Sequence, residues 1–529
     1  MFRIFFKIFF FLFLPEVLLA QLNPYDLKWG TNYRYRDVFT TKVIDLDSNF
    51  FYTQGIRSGL LTSNKWYLAK YDRKESKQIW QVEMDRILFK GSPTNLVSVN
   101  IVDGEFYLFL ESFNRRENKK YLLLQILDQY GDPKGLKVIE SLDSKRRNHG
   151  NFEIKFSQNR NTFMIFSSPK FSLREPEKFA ISIYDRDLNL NWSKDIQLDV
   201  LDRYFRIQDV DLTNKGEVYM IGQKTMTSRA QNDFWSSPYS NFLIYKIIGE
   251  NDDLLEIDLN LNTINAGLTN LGSIYITNLG LELDFSDNIA AIGGFYSERE
   301  YRNSSIKGMF YLTIDQSTNY NISSEVVPFK KDFIDGFRLL ARSRRGNEIR
   351  EDFVFRHFLH REDGGAYIIA EDYEMEIRRT QTRNGTITNY YYYYNDIIAV
   401  GISPLGKIEW SGHIPKRQFS KNDGGFASSY LPLVDDQQLH ILFNDHSSNS
   451  KRFGDRRPLS TRNFRSSNLV CVSINENSEM HYNILFNNRK QRVLTLPKKS
   501  ASNAQLQRDA VLFSSLNSRI KFGSFLHQK

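Results

Sequence analysis

The chain has 529 residues, 41% hydrophobic and 25% charged, with 41 Phe and 28 Tyr. Aromatic side chains in that number exclude a disordered or fibrous chain, and a single cysteine, Cys471, excludes intrachain disulfides. The net charge of +8 is accompanied by no recognition helix or base-stacking motif, so nucleic acid is not expected as a partner.

Arg3 and Lys7 precede an apolar run over residues 8–14, and Val17, Leu18, Leu19 and Ala20 precede Gln21. This is the charged, apolar, small-residue order of a secretory leader. Pro15 and Glu16 break the segment before it reaches the ~20 apolar residues that cross a bilayer. Residues 1–20 are therefore read as a signal peptide and residues 21–529 as one exported domain, secreted or periplasmic. No transmembrane helix is expected, so any association with an envelope runs through a partner.

From residue 47 onward, turn-forming residues are followed by a short apolar run eight times. The turns are Asp47-Ser48, Asp103-Gly104, Asn159-Arg160, Lys215-Gly216, Asp287-Asn288, Asp363-Gly364, Asp435-Asp436 and Asp509. The first three steps are each 56 residues and the later ones run from 72 to 76. A period of that size built from strands predicts an all-β β-propeller of four-stranded blades. Eight blades are expected, or seven if the last fragment packs as a cap.

Each unit closes with a hairpin whose outer strand carries Trp in several repeats. Tyr71-Asp72 leads to Trp80, Tyr184-Asp185 to Trp192, and Gly401 to Trp410. The same outer-strand pattern surrounds Trp29, where no inner strands precede it, whereas the unit after Asp509 lacks an outer strand. The amino-terminal strand is thus expected to complete the last blade and leave no open edge.

The Tyr-Asp and Trp hairpins resemble blades of bacterial secreted quinoprotein-like propellers, and Ile292-Gly293-Gly294-Phe295-Tyr296 resembles a kelch strand end. The resemblance lies in pattern and implies a repeat propeller. It implies no cofactor, because the Ala-x-Asp-x-x-Thr-Gly-x-x-x-Trp repeat of the quinoprotein family is nowhere complete.

Connections between second and third strands are long and unlike one another, the usual carriers of binding on a rigid scaffold. The seven that can be delimited carry a net +11 against +8 for the whole chain, which places the positive charge on one face. The connections between repeats add Lys145-Arg146-Arg147 and a stretch with Arg338, Arg342, Arg344, Arg345 and Arg350. Asn384-Gly385 is a strong hairpin signal, so residues 371–395 should form a projecting ribbon. Tyr390, Tyr392 and Tyr394 then share one side, with Tyr391 and Tyr393 on the other. Candidate ligand or partner contacts are Trp235, Arg344, Arg345, Arg378, Arg379, Tyr391, Tyr393, Arg456 and Arg457.

No nucleophile elbow, phosphate loop, zinc-protease helix or Cys-x-x-Cys occurs. Asp45 to Asn49 imitates the opening of a calcium loop, but Phe50 stands where Gly is required. No catalytic residue, metal or cofactor is expected. The function expected is a binding or scaffold propeller that holds an anionic glycan, an envelope component or an acidic protein. A polysaccharide hydrolase or lyase with carboxylates around the axis is the alternative.

Overall fold

A computed structural model describes residues 25–35, 40–57, 65–84, 87–225, 241–259, 261, 274–284, 286, 288–298, 305–319, 321–340, 349–350, 353–383, 385–435, 438–503 and 508–527. Eight antiparallel sheets each hold at least four strands. Numbered along the chain, their first strands are Lys42–Leu46, Ser92–Val102, Asn151–Phe156, Phe205–Leu212, Tyr275–Leu283, Phe353–His360, Leu431–Asp435 and Ala501–Ser502.

Each turn read from the sequence whose residues are described falls between the first and second strands of a sheet; Asp287 and Asp436 lie outside the described residues. The chemistry is local. Asp47 Oδ1 accepts the N–H groups of Asn49 and Phe50 at 2.8 and 2.7 Å, the side-chain turn that Asp favours. Gly216 and Gly364 sit at φ +88°, where a Cβ would be strained.

Second and third strands lack polar alternation because neighbouring sheets cover both of their faces. The third strand of sheet 7, Asn468–Ile474, is buried throughout, and burial pushes the Cys471 thiol up to about 12, far from the reactive thiolate. Eight apolar cores lie between consecutive sheets among the described residues. Tyr52, Leu68, Phe106 and Leu108 join sheets 1 and 2. Phe51, Tyr71, Phe513 and Phe522 join sheets 8 and 1, so the cycle closes. A closed cycle of four-stranded sheets around an axis is a β-propeller.

The seam is where the sequence pattern put it. Strand Tyr25–Arg34 pairs antiparallel with Arg519–His527, and Trp29 lies opposite Gly523. A Cβ at Gly523 would stand 3.1 Å from the Trp29 ring, and that ring also meets Phe486 of sheet 7 edge-on at 5.8 Å. Trp80, Trp192 and Trp410 occupy fourth strands too. Two of them tie sheet to sheet: Trp80 Nε1 donates to the Gln129 carbonyl at 2.8 Å, and Trp192 Nε1 to that of Gly216 at 3.2 Å.

One connection read from sequence as a charged loop is partly helical. Helix Lys331–Leu340 follows sheet 5. Phe333, Ile334 and Phe337 form the apolar stripe that makes it pack, against Phe329, Ile349 and Phe353. Phe337 also stacks on His413 at 3.6 Å.

Candidate functional site

In a four-stranded antiparallel sheet, second-to-third and sheet-to-sheet connections leave on one face of the ring, and the remaining turns leave on the other. The ribbon projects from the first of these faces. Strands Ala366–Thr382 and Gly385–Ile402 stay paired out to Thr382 and Gly385. Tyr391 and Tyr393 share one side with Arg378, whose guanidinium lies 4.8 Å above the Tyr391 ring and pairs with Glu376 at 2.6 Å. A strand that was not foreseen, Gln418–Lys421, lengthens this side. It sets Phe419 5.2 Å from Tyr393, Lys421 5.2 Å over Tyr391 and Arg462 5.4 Å over Phe419.

Arg379 belongs to the opposite side, with Ile377, Met375, Tyr390 and Tyr392. Tyr394 on that side is buried at the ribbon's base. The base is locked by an enclosed ion pair, Lys416 Nζ to Glu371 Oε1 at 2.9 Å, and by Ser429 Oγ donating to Glu371 at 2.7 Å. Arg456 is exposed, and Arg457 is half-buried with its carbonyl accepting from Arg452 Nε at 3.0 Å. Trp235, Arg344 and Arg345 lie outside the described residues.

On the same face, where sheets 7 and 8 meet, a cavity of about 790 Å³ is lined by Arg465, Arg489, Arg492, Arg519 and Lys521. Three separate segments supply them. Arg465 sits in the short helical turn Phe464–Ser466, Arg489 and Arg492 on helix Asn488–Gln491 and its C-cap, and Arg519 and Lys521 on the third strand of sheet 8. Buried Asn488 fixes the first two segments together, donating to the Phe464 carbonyl at 3.1 Å and to Asn444 Oδ1 at 2.8 Å. Arg492 holds φ +54°, a left-handed conformation that a non-glycine residue adopts at a cost. Among the described residues none of the five cations forms an ion pair, and no acidic residue lines the cavity.

A second cavity, about 920 Å³, lies on the axis and opens toward the other face. First strands of seven sheets line it, with the turns around Arg160, Asp284 and Glu362. Its charges are matched. Arg160 pairs with Asp45 at 2.5 Å, Lys155 Nζ pairs with Asp211 at 3.0 Å, and Arg508 pairs with Glu362. Asp209 accepts the Leu281 N–H at 3.0 Å, and burial raises its carboxyl above the ordinary range.

Glu282 is the exception within this funnel. Its side chain is 27% exposed to the cavity and lies 3.6 Å from His360 Nε2 and 3.4 Å from Gln158 Nε2. Burial first, then the negative charge of Asp211, push its pKa up to about 8, with Lys155 pulling the other way. Burial holds His360 below its ordinary value, and His360 Nε2 lies 2.9 Å from the Leu283 carbonyl, which calls for the Nε2–H tautomer.

No family model and no curated protein matches the chain. Among solved structures it is similar to the WD40 domain of SCAP from fission yeast, at 8% identity over 96% of this chain and 99% of that one, with a TM-score of 0.39. It is also similar to the β-propeller domain of the Trilobed protease from Pyrococcus furiosus, at 9% identity over 85% of this chain and 98% of that one, TM-score 0.35. A protein of unknown function from Bacteroides caccae matches at 10% identity over 69% of this chain and 93% of that one, TM-score 0.28. The fold assignment rests on the closed ring itself.

Sequence reasoning brings Arg378, Tyr391 and Tyr393 together correctly and places Arg379 beside them, where strand alternation separates it. It misses the pocket cations. Basic doublets such as Arg456-Arg457 stand out in a sequence, whereas Arg465 and Arg519 are isolated along the chain and the cluster Arg489-Lys490-Gln491-Arg492 lies outside the second-to-third connections. The one available signal was the inferred seam, which already placed residues around 519–525 next to those around Trp29. Among the described residues no group of three His, Cys, Asp or Glu side chains is placed to hold a metal.

Proposed function

We propose that the chain is an exported, eight-bladed binding propeller whose basic, aromatic-bearing loop face holds an anionic partner, an acidic glycan or an acidic protein, without transforming it. A leader over residues 1–20 and one domain over residues 21–529 complete this reading. The observation that carries it is a cluster of five cations around a single cavity on that face, with no acidic partner among the described residues. Charge of one sign with no counter-charge raises the local concentration of anions and their encounter rate. The aromatic row of Tyr391, Tyr393 and Phe419 beside Arg378 and Lys421 adds flat contact area of the kind partner surfaces use. No helix among the described residues is long and apolar enough to cross a membrane.

The test is retention on immobilised heparin across a salt gradient. The wild type should elute late, and Arg344→Ser, Arg345→Ser, Arg456→Ser and Arg457→Ser combined should elute earlier with a flatter salt dependence. Retention of the wild type no stronger than that of a neutral protein would end this reading.

A second reading, a polysaccharide hydrolase or lyase working at the axis, is favoured by Glu282. A carboxyl that keeps its proton near neutrality under the charge of Asp211, in a cavity that also holds Asp45 and Asp284, has the property required of a general acid. If polysaccharide chains are cut by the wild type and not by Glu282→Gln, the axis is a reaction centre. If neither protein releases new chain ends, the binding reading stands alone.

A further inference from the structure

We infer that the cavity where sheets 7 and 8 meet takes a compact polyanion bearing several phosphate or sulfate groups, and that its occupancy fastens the seam of the ring. This rests on the reading that the loop face binds anions, and it names the ligand class.

The lining chooses the class. Four guanidinium groups and one ammonium surround a volume of about 790 Å³, within the ~300–1,000 Å³ of small-ligand sites. Guanidinium presents paired donors to the oxygens of phosphate or sulfate, often two at a time, so each Arg can engage a separate oxyanion edge. Asn32, Asn463, Ser466 and Asn517 add amide and hydroxyl donors. Among the described residues no aromatic ring lines the cavity, so none of them offers the stacking platform that a sugar ring would use. The aromatic row that could serve an extended glycan lies on the separate ribbon of sheet 6.

The arrangement works against itself. Arg465, Arg489, Arg492 and Arg519 are exposed and Lys521 is half-buried, with no acidic partner among the described residues. Like charges around one space repel unless an anion enters it, so a ligand gains from all five at once. Elsewhere the protein neutralises cations directly, as with Arg73 and Asp509 at 2.9 Å or Arg361 and Glu409 at 2.6 Å.

Closing the seam completes the cavity. Asn32 belongs to the amino-terminal strand and faces Lys521 across the pairing, and Arg34 faces Arg519. A polyanion that touches Asn32 together with Lys521 and Arg489 therefore binds the closed ring and not an opened one. By mass action such a ligand raises the stability of the closed form.

The experiment uses the full exported chain, with inorganic tripolyphosphate as the free probe and inorganic sulfate at matched ionic strength as the comparison. Tripolyphosphate should bind roughly tenfold tighter than sulfate or better, and it should raise the melting temperature. Arg489→Ser with Arg492→Ser, both on an exposed helix end, should weaken tripolyphosphate by roughly tenfold or more, while their unliganded melting temperature is no lower than that of the wild type. Arg456→Ser with Arg457→Ser, outside the cavity, should change it less than about twofold. Phosphatidylcholine vesicles doped with phosphatidylinositol bisphosphate distinguish the source: tighter binding to them than to tripolyphosphate, lost in the same double variant, assigns the cavity to a lipid headgroup. Equal binding of tripolyphosphate and sulfate, or an Arg489 and Arg492 double variant that binds like the wild type, overturns the inference. If heparin retention survives in that event, only the cavity assignment falls; if it is lost too, the loop-face reading falls with it.

Discussion

The axial funnel and the seam cavity are of similar size, about 920 and 790 Å³, and both are lined by charge, yet they handle it in opposite ways. In the funnel Arg160, Lys155 and Arg508 each meet a carboxylate. In the seam cavity five cations meet none among the described residues. Matched charge at the axis ties sheet 1 to sheet 3, sheet 3 to sheet 4 and sheet 6 to sheet 8 through contacts that one sheet alone cannot make. Unmatched charge at a surface stores repulsion that only a visitor can relieve. The difference separates a region that serves the fold from one that is open to a ligand, and it does so without reference to any relative.

The sharpest way to break the contrast is to unmatch the funnel. Lys155→Met leaves Asp211 without its partner and removes the donor to the Val210 carbonyl at 2.9 Å. The expected loss in urea unfolding is about 1.5 kcal/mol, the low end for a charge-assisted hydrogen bond, because about a third of this side chain meets solvent. A variant as stable as the wild type would show that the match contributes nothing.

Glu282 gives an effect with a definite sign that grows with pH. Its folded pKa, about 8, lies above the ordinary carboxyl value of 4.5, so between these values the folded state binds more protons than the unfolded one. Stability from this group is therefore fully present below about pH 4.5 and is lost as pH rises toward 8. Glu282→Gln, which cannot ionise, should match the wild type at low pH and exceed it increasingly across that window. Parallel curves of melting temperature against pH for the two proteins would contradict the shift.

The smallest effect comes from the other side of the comparison. Arg519→Ser removes one of five repelling cations, so it should raise the melting temperature slightly at low salt. The gain should vanish near 1 M salt, where charges are screened within ~3 Å. A loss of stability in low salt would mean that Arg519 is matched after all.

The ring was legible in the sequence because its signals are local and repeated. Asp47 closes its turn with its own side chain, Gly216 and Gly364 take the positive φ that theirs require, and Trp29 betrayed an outer strand that its neighbours could not explain. The ribbon was legible for the same reason, since Gly385 and strict alternation fix which tyrosines share a side. The two cavities were not. Glu282, Lys155, Asp211 and His360 come from four different sheets, and nothing in the spacing of one announces the others. The helix Lys331–Leu340 was hidden by the charged residues around its short apolar stripe. Both cavities come from packing sheet against sheet, which brings together residues that no local pattern connects.

Pairing Tyr25–Arg34 with Arg519–His527 has a consequence for the order of assembly. Synthesis delivers the first of these strands long before the second, so through most of translation it has no partner and must be kept from pairing elsewhere. Loop closure over nearly the whole chain is the slowest kind of contact to form. The eighth sheet is thus the last to be finished, and until then the ring is a horseshoe with two raw edges that a chaperone or a second unfinished copy could occupy.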